Sequence, residues 1–216
     1  MSGKRSSLSI SVRRHFVDKF FFSHKDLLTP GMRVLDIGGK KSNKRGLFDI
    51  DRYEVEVKYV NIDRTTNPDI ICDASHIPLP DNSYDVIIMG ELLEHIPEPL
   101  EAMTETYRIL RPGGTALVTV PFLYPIHADP KDYSRYTGYF WQERAGKIGF
   151  KDIKIEQQGN IFAVLALAVQ HLFLAKKTSW RPVQYMLLSV FMWFDKRTSS
   201  PLLKSWTTGY GLVLTK

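Results

Sequence analysis

The stretch Arg33-Val34-Leu35-Asp36-Ile37-Gly38-Gly39 leads into the polar run Lys40-Lys41-Ser42-Asn43-Lys44-Arg45-Gly46, and a second apolar segment, Lys58-Tyr59-Val60-Asn61-Ile62, ends on Asp63. This reads as a buried strand, a glycine turn, a connection, and a second strand carrying a carboxylate at its carboxyl end. In an open α/β sheet, ligands sit outside the carboxyl ends of the strands. Glycines at such a turn let the backbone approach a ligand closely. A carboxylate ending the next strand can accept hydrogen bonds from both hydroxyls of a ribose. The combination points to a ligand that contains a nucleoside.

Two nucleoside ligands compete. A dinucleotide site wants three glycines as G-x-G-x-x-G, so that a pyrophosphate can lie on bare backbone at a helix N-terminus. Here Gly38-Gly39 is followed by Lys40, Lys41 and Ser42, and that pattern is missing. S-adenosylmethionine has a ribose and an adenine but no phosphate, and its demands on the turn are milder.

Outward from this stretch, further apolar runs predict strands at Ile70–Ala74, Tyr84–Gly90, Thr115–Pro121, Lys151–Gln157 and Gly209–Thr215. Helical spacing predicts helices over Ser11–Leu28, Pro99–Leu110 and Phe140–Ile148. Arg111-Pro112-Gly113-Gly114 reads as a helix stop and turn. Strands alternating with helices imply an α/β fold with a doubly wound, mainly parallel, seven-stranded sheet. The last two strands are placed to pair as an antiparallel edge, with everything between them an insertion.

The chain has 216 residues, 44% of them hydrophobic and 12% aromatic, enough for a full core. Its single cysteine, Cys72, fits a reducing compartment. The basic, serine-rich start lacks the apolar region of a signal peptide, and residues 1–9 read as a mobile basic leader. Charge is uneven. Residues 1–30 carry six basic and two acidic residues, residues 31–130 ten and sixteen, and residues 131–216 thirteen and five. An acidic middle between basic ends suggests an anionic surface as partner.

Taken together, Val34-Leu35-Asp36-Ile37-Gly38, Asn61-Ile62-Asp63, Asp73-Ala74, Leu79 to Ile87, Leu93-Glu94-His95-Ile96 and Arg108-Ile109-Leu110-Arg111-Pro112-Gly113-Gly114 resemble the class I S-adenosylmethionine-dependent methyltransferases. The resemblance covers residues 33–157, with the elements in that family's order. It implies a Rossmann-like fold with S-adenosylmethionine as cofactor. Asp36 and Gly38 would line the methionine end, with Gly39 beside them. Asp63 would hold the ribose hydroxyls, with Arg64 next to it. Asp73 and Ala74 would meet the adenine, and Gly90 and Glu91 would lie under the sulfonium region. Lys40 stands where the family usually has another glycine.

A second, narrower resemblance rests on Pro121 to His127 followed by Asp129-Pro130-Lys131-Asp132-Tyr133-Ser134-Arg135-Tyr136-Thr137. It is similar to a subgroup met among bacterial enzymes that modify surface glycans or lipid-linked intermediates. The loop follows the fifth strand and should lie beside the methyl group. A hydroxyl acceptor gains from a general base. His127 is the expected base, with Asp129 or Asp132 to orient it, and His95 is the competing base. Tyr133 and Tyr136 would wall the site, and Arg135 would pair with an anionic substrate group. No metal ion is expected.

Ile161–Ala175 and Val183–Phe194 are apolar runs too short to span a bilayer, bordered by Lys176-Lys177 and Asp195-Lys196-Arg197. They suit a monotopic hairpin on a membrane surface, or a lid or dimer interface. The expected division is a basic N-terminal helical extension (1–30), a methyltransferase domain (31–159 plus 208–216) and an apolar helical insertion (160–207). The expected activity is O-methylation of a glycan or lipid-linked glycan precursor. The alternatives are methylation of a small lipophilic metabolite such as a quinone, and a non-catalytic cofactor-binding partner subunit. Nucleic acid is not expected as substrate: no proline-cysteine or N-P-P-Y-type motif follows the fourth strand. The expected location is cytoplasmic, with peripheral contact at the inner face of the inner membrane.

Overall fold

The computed structural model describes residues 11–42, 44–175 and 180–216. The basic leader and Lys176-Lys177 lie outside the described residues. Helix α1 (Val12–Ser23) precedes β1 (Arg33–Ile37), β2 (Glu56–Val60) and β3 (Tyr84–Gly90). Then come α2 (Pro99–Ile109), β4 (Leu110–Pro121), α3 (Gly138–Ile148) and β5 (Asp152–Gln157). Helices α4 (Ile161–Ala175), α5 (Arg181–Arg197) and α6 (Pro201–Lys204) lead to β6 (Gly209–Thr215). The sheet order is β2-β1-β3-β4-β6-β5. The first four strands run parallel, while β6 is antiparallel to both β4 and β5.

Strand side chains alternate between two buried faces, as a doubly covered sheet requires. Leu35, Ile37, Ile87, Met89, Ala116 and Val118 pack with Ala102 and Met103 of α2 and Trp141 and Ala145 of α3. On the other face Val34, Val86, Ile88 and Leu117 pack with Val17, Phe20 and Phe21 of α1. The Ser11 hydroxyl caps α1 by accepting the Arg14 N–H at 3.1 Å.

Among the described residues six strands form, not seven. The expected strand at Ile70–Ala74 shrinks to one bridge between Val60 and Ile70. The reason lies in Asp69. Its carboxylate accepts the Tyr59 N–H at 2.9 Å, where a ladder carbonyl would otherwise bind. The Asp69 and Ile70 N–H groups then both converge on the Tyr59 carbonyl, and no regular ladder can propagate. The second strand also ends two residues early, at Val60, and the Asn61 N–H donates to the Ile70 carbonyl at 3.1 Å. The helix stop at Arg111–Gly114 falls inside β4 as an irregularity. Tyr84 pairs with Leu110 but Val86 pairs with Thr115, so the intervening residues loop out around Gly113, whose φ is +80°.

The insertion is docked on α1. Val12 and Phe16 join Ala163, Ala166, Leu167 and Leu188 in a small third core. The Val12 N–H donates to Gln170 Oε1 at 3.0 Å. Asn160 fastens the hairpin's base, donating from its backbone to Asp195 Oδ1 at 2.7 Å and from its amide to the Asp195 carbonyl at 2.8 Å. No helix among the described residues is long and apolar enough to cross a membrane.

Candidate active site

The carboxyl ends of β1, β2, β3 and β4 open into one cleft of about 810 Å³, a size suited to a small organic ligand. Helix α1 forms part of its wall through Arg13, Arg14, Val17 and Phe21. The glycine turn is held from below. Gly38, at φ +81°, donates its N–H to the Val60 carbonyl at 2.8 Å. The Asn61 amide donates to both the Gly38 and Gly39 carbonyls, each at 3.0 Å. A methyl group on Gly39 would stand 2.2 Å from Asp36 Oδ2, so only glycine fits there.

Asp36 lines the cleft, and burial pushes its carboxyl up to about 7 despite the opposing charge of Lys44. Asp63 is exposed at the tip of β2. Its Oδ1 accepts the Thr65 N–H at 2.9 Å and the Thr65 hydroxyl at 2.7 Å, which holds its carboxyl below the usual range. Asp36, Gly38, Gly39, Asp63, Asp73, Ala74, Gly90 and Glu91 all line the cleft, whereas Arg64 does not.

Glu91 follows β3 in a left-handed conformation, φ +54°. Arg13 clamps it with two bonds, Nε to Oε2 at 2.8 Å and Nη2 to Oε1 at 2.6 Å. Burial alone would raise the Glu91 carboxyl, and the guanidinium reverses this and holds it low. The remaining Arg13 donors reach Gln158 Oε1 and the Val120 carbonyl. One side chain of α1 thus fastens the helix to the tips of β3 and β4.

Glu94 and His95 of the Leu93–His95 turn meet His127 of the loop after β4, and both histidines line the cleft. Glu94 is 2% exposed. Neither of its carboxylate oxygens has a hydrogen-bond partner among the described residues. Burial, and then the charge of Glu91, push its carboxyl well above the usual range. Glu94 Oε1 lies 3.7 Å from His95 Nε2 and 3.9 Å from His127 Nε2. Both imidazoles are oriented from behind. His95 Nδ1 donates to the Lys131 carbonyl at 2.6 Å, and His127 Nδ1 to the Pro125 carbonyl at 3.3 Å. Carbonyls can only accept, so Nδ1 carries a proton in each ring, and Nε2 is the nitrogen that lies toward Glu94. Burial, followed by the neighbouring His95, lowers the His127 pKa and keeps the ring neutral.

The other expected residues of the loop are placed differently. Asp132 Oδ2 accepts the His127 backbone N–H at 2.9 Å and lies 3.4 Å from Nδ1. Arg135 grips both Asp132 oxygens and holds its carboxyl down to about 2. This pair buttresses the loop, and neither Asp132 nor Arg135 lines the cleft. Asp129 does line it, but pairs with Arg45 at 3.3 Å and not with His127. Tyr136 stacks on Phe140 with centroids 3.9 Å apart and is packed away from the cleft. Tyr133 is also outside the lining, half-exposed, with its N–H on the Glu94 carbonyl. Three residues of this site, Arg13, Asn61 and Glu94, are not among those the sequence points to by chemistry. Asn61 and Glu94 stand inside the Asn61-Ile62-Asp63 and Leu93-Glu94-His95-Ile96 motifs, so position carries a signal for those two; nothing local marks Arg13.

The arrangement is the Rossmann-like class I methyltransferase fold. Residues 27–118 match the family model described as a methyltransferase domain. The ubiquinone/menaquinone biosynthesis C-methyltransferase UbiE of Neisseria gonorrhoeae is 32% identical over 124 residues, covering 50% of this chain and 51% of that protein. The chain thus spans about half the length of the curated relatives it matches. A SAM dependent methyltransferase from Archaeoglobus fulgidus superposes with a TM-score of 0.62 at 16% identity, over 94% of each chain. Phosphoethanolamine N-methyltransferase 2 of Haemonchus contortus, solved with S-adenosyl-L-methionine, gives 0.59 at 17% identity, over 92% of this chain and 52% of that one.

Proposed function

We propose that the chain is an S-adenosylmethionine-dependent methyltransferase whose acceptor is a small lipophilic aromatic hydroxyl compound of the quinol type. The observation that carries this reading is one cleft lined by two groups of residues. A pinned glycine turn stands with the strand-tip carboxylates of Asp36 and Asp63. His95 and His127 line the same cleft, with their Nε2 atoms 3.7 and 3.9 Å from Glu94 Oε1. The residues present fit the cofactor: Gly39 is cramped by Asp36 and leaves bare backbone, Asp63 has one oxygen engaged by Thr65, and nothing in the turn is built for a pyrophosphate.

Asp63 would hold the ribose, Asp73 and Ala74 the adenine, and Asp36 with Gly38 the methionine end. When bound, the cofactor supplies a methyl group already activated on sulfonium. The protein's own work is to align the acceptor, exclude water and take up its proton. His127 Nε2 is the group placed to accept that proton. An aromatic hydroxyl that loses its proton becomes nucleophilic both at oxygen and at the adjacent ring carbons, so the same base serves either outcome. The quinone relatives favour this acceptor, and the glycan acceptor expected from the loop finds no support among them.

Isothermal titration with S-adenosylhomocysteine tests the cofactor end. Asp63→Ala should weaken binding about 10- to 100-fold, the worth of hydrogen bonds to a charged group. Wild-type protein that shows no heat at about 1 mM ligand would sink the reading. Asp36 adds a pH signature. Its carboxyl, near 7 in the free protein, must ionise to meet the ligand's ammonium group. Affinity should therefore rise with pH, by about tenfold from pH 6 to pH 8, and Asp36→Asn should flatten the curve. A flat wild-type profile would refute this placement.

The reading extends to where the acceptor comes from. The insertion exposes many apolar residues, among them Leu172, Leu174, Met186, Val190, Trp193 and Leu202, a composition suited to the headgroup region of a bilayer. Docking at the cytoplasmic face of the inner membrane would place the cleft near a lipid-soluble acceptor. Protein that stays at the bottom of a flotation gradient with anionic liposomes would remove this extension. Turnover with labelled cofactor and a quinol acceptor separates an enzyme from a cofactor-binding partner subunit.

A further inference from the structure

The geometry points to a divalent metal site formed by Glu94, His95 and His127, which we propose binds a first-row transition cation such as Zn²⁺ or Mn²⁺. One ligand atom from each of the three lies within 4.8 Å of the others. Glu94 Oε1 is 3.7 Å from His95 Nε2 and 3.9 Å from His127 Nε2. An ion equidistant from three atoms so spaced sits about 2.1 to 2.8 Å from each, dividing separation by √3. Zinc bonds to imidazole and carboxylate run at roughly 2.0 to 2.2 Å, so a small closure of the three side chains completes the site.

The surroundings are those of metal-binding histidines. Each ring has its other nitrogen tied to a backbone carbonyl, which fixes the tautomer and leaves Nε2 as the ligand. Glu94 is buried with both oxygens unpartnered among the described residues, a state that costs free energy unless something binds them. Neighbouring cations do not serve that purpose. Arg13 is taken by Glu91, and Arg135 by Asp132. With those two pairs neutral, Glu94 is the carboxylate left over. Two imidazoles and one carboxylate leave coordination positions open, and His95 and His127 both face the cleft.

Its use, resting on the methyltransferase reading, is to bind the acceptor's hydroxyl oxygen. Coordination lowers the pKa of that hydroxyl, and its proton leaves to solvent. Where the ion is bound, His127 Nε2 is a ligand and not the proton acceptor.

The test uses the full chain after chelator treatment and dialysis. Co²⁺ is titrated by calorimetry and visible absorption, and S-adenosylhomocysteine binding is measured on the same samples. One equivalent of Co²⁺ should bind, with ligand-field bands that Zn²⁺ abolishes, and Zn²⁺ should raise the melting temperature. Glu94→Gln and His127→Ala should each weaken Co²⁺ by at least the roughly 10- to 100-fold that outer-shell changes cost. Glu94→Gln should fold, since its carboxylate has no hydrogen bond to lose. Both variants should bind S-adenosylhomocysteine within about twofold of wild type. Failure of the wild-type chain to bind Co²⁺ or Zn²⁺ at about 100 μM overturns the site, as do both variants binding like wild type. Cofactor product bound without metal leaves the methyltransferase reading standing and the metal site refuted; metal bound without cofactor product does the reverse.

Discussion

Arg13→Met should lower the melting temperature by about 10 °C, the equivalent of roughly 3–5 kcal/mol in a chain of this size. The clamp it removes joins α1 to the tip of β3, and the Glu91 carboxylate would be left buried without its partner. Removing one member of a buried ion pair is costly mainly because the other charge remains. Adding Glu91→Gln should therefore restore most of the loss, since the stranded charge disappears while the side-chain shape is kept. Thermal unfolding followed by circular dichroism, over the four proteins of the double-mutant cycle, measures this. A single variant melting within about 2 °C of wild type would show that the pair does not hold the helix. The single variant should also weaken S-adenosylhomocysteine binding, because Arg13 and Glu91 line the same cleft.

In metal-free protein, His127→Ala should cut kcat about 10²- to 10⁴-fold, the range for loss of a positioned acid–base group. Affinity for S-adenosylhomocysteine should stay within about twofold, since the proposed role of His127 is toward the acceptor and not the cofactor. The loss should fall on kcat and kcat/KM together, as expected for an interaction made in the transition state. Asp132→Asn should show a milder defect. Asp132 acts through the loop, by its bond to the His127 N–H and its grip on Arg135, and does not itself reach the cleft. Steady-state kinetics with a quinol acceptor gives both numbers. Full turnover by His127→Ala would move proton acceptance to His95 or away from the protein.

What could be read in advance follows the range of the forces involved. The central strands announce themselves because Val34-Leu35, Val86-Ile87-Ile88 and Ala116-Leu117-Val118 are apolar on both faces, as a doubly covered sheet demands. The final strand, Gly209–Thr215, was bounded correctly from its composition alone. The strand at Ile70–Ala74 looked equally apolar, yet the Asp69 carboxylate captured the Tyr59 N–H and cut the ladder to one bridge. That competition is a side-chain event, invisible to periodicity. In the cleft, the strand-tip acids were legible because topology alone puts them there. Arg13 was not, for its partner Glu91 lies 78 residues away. Glu94 stands inside the Leu93-Glu94-His95-Ile96 motif without a role attached to it, yet it is 2% exposed, with His127 of the loop after β4 at 3.9 Å. Between Asp129 and Asp132 the sequence offered no choice. The structure gives the first to Arg45 and the second to Arg135.

The insertion departs and returns at a single seam. The Gln158 N–H donates to the Gly209 carbonyl at 2.9 Å, and the Thr208 N–H to the Gln158 carbonyl at 3.2 Å. The two strands on either side of that seam are already neighbours, so whatever hangs between them never has to carry the sheet. Chain length there is thermodynamically cheap, each doubling adding only about 0.6 kcal/mol. Evolution can thus vary the length and sequence of the excursion without disturbing a single rung of the β-ladder, provided the face that meets Val12 and Phe16 is kept.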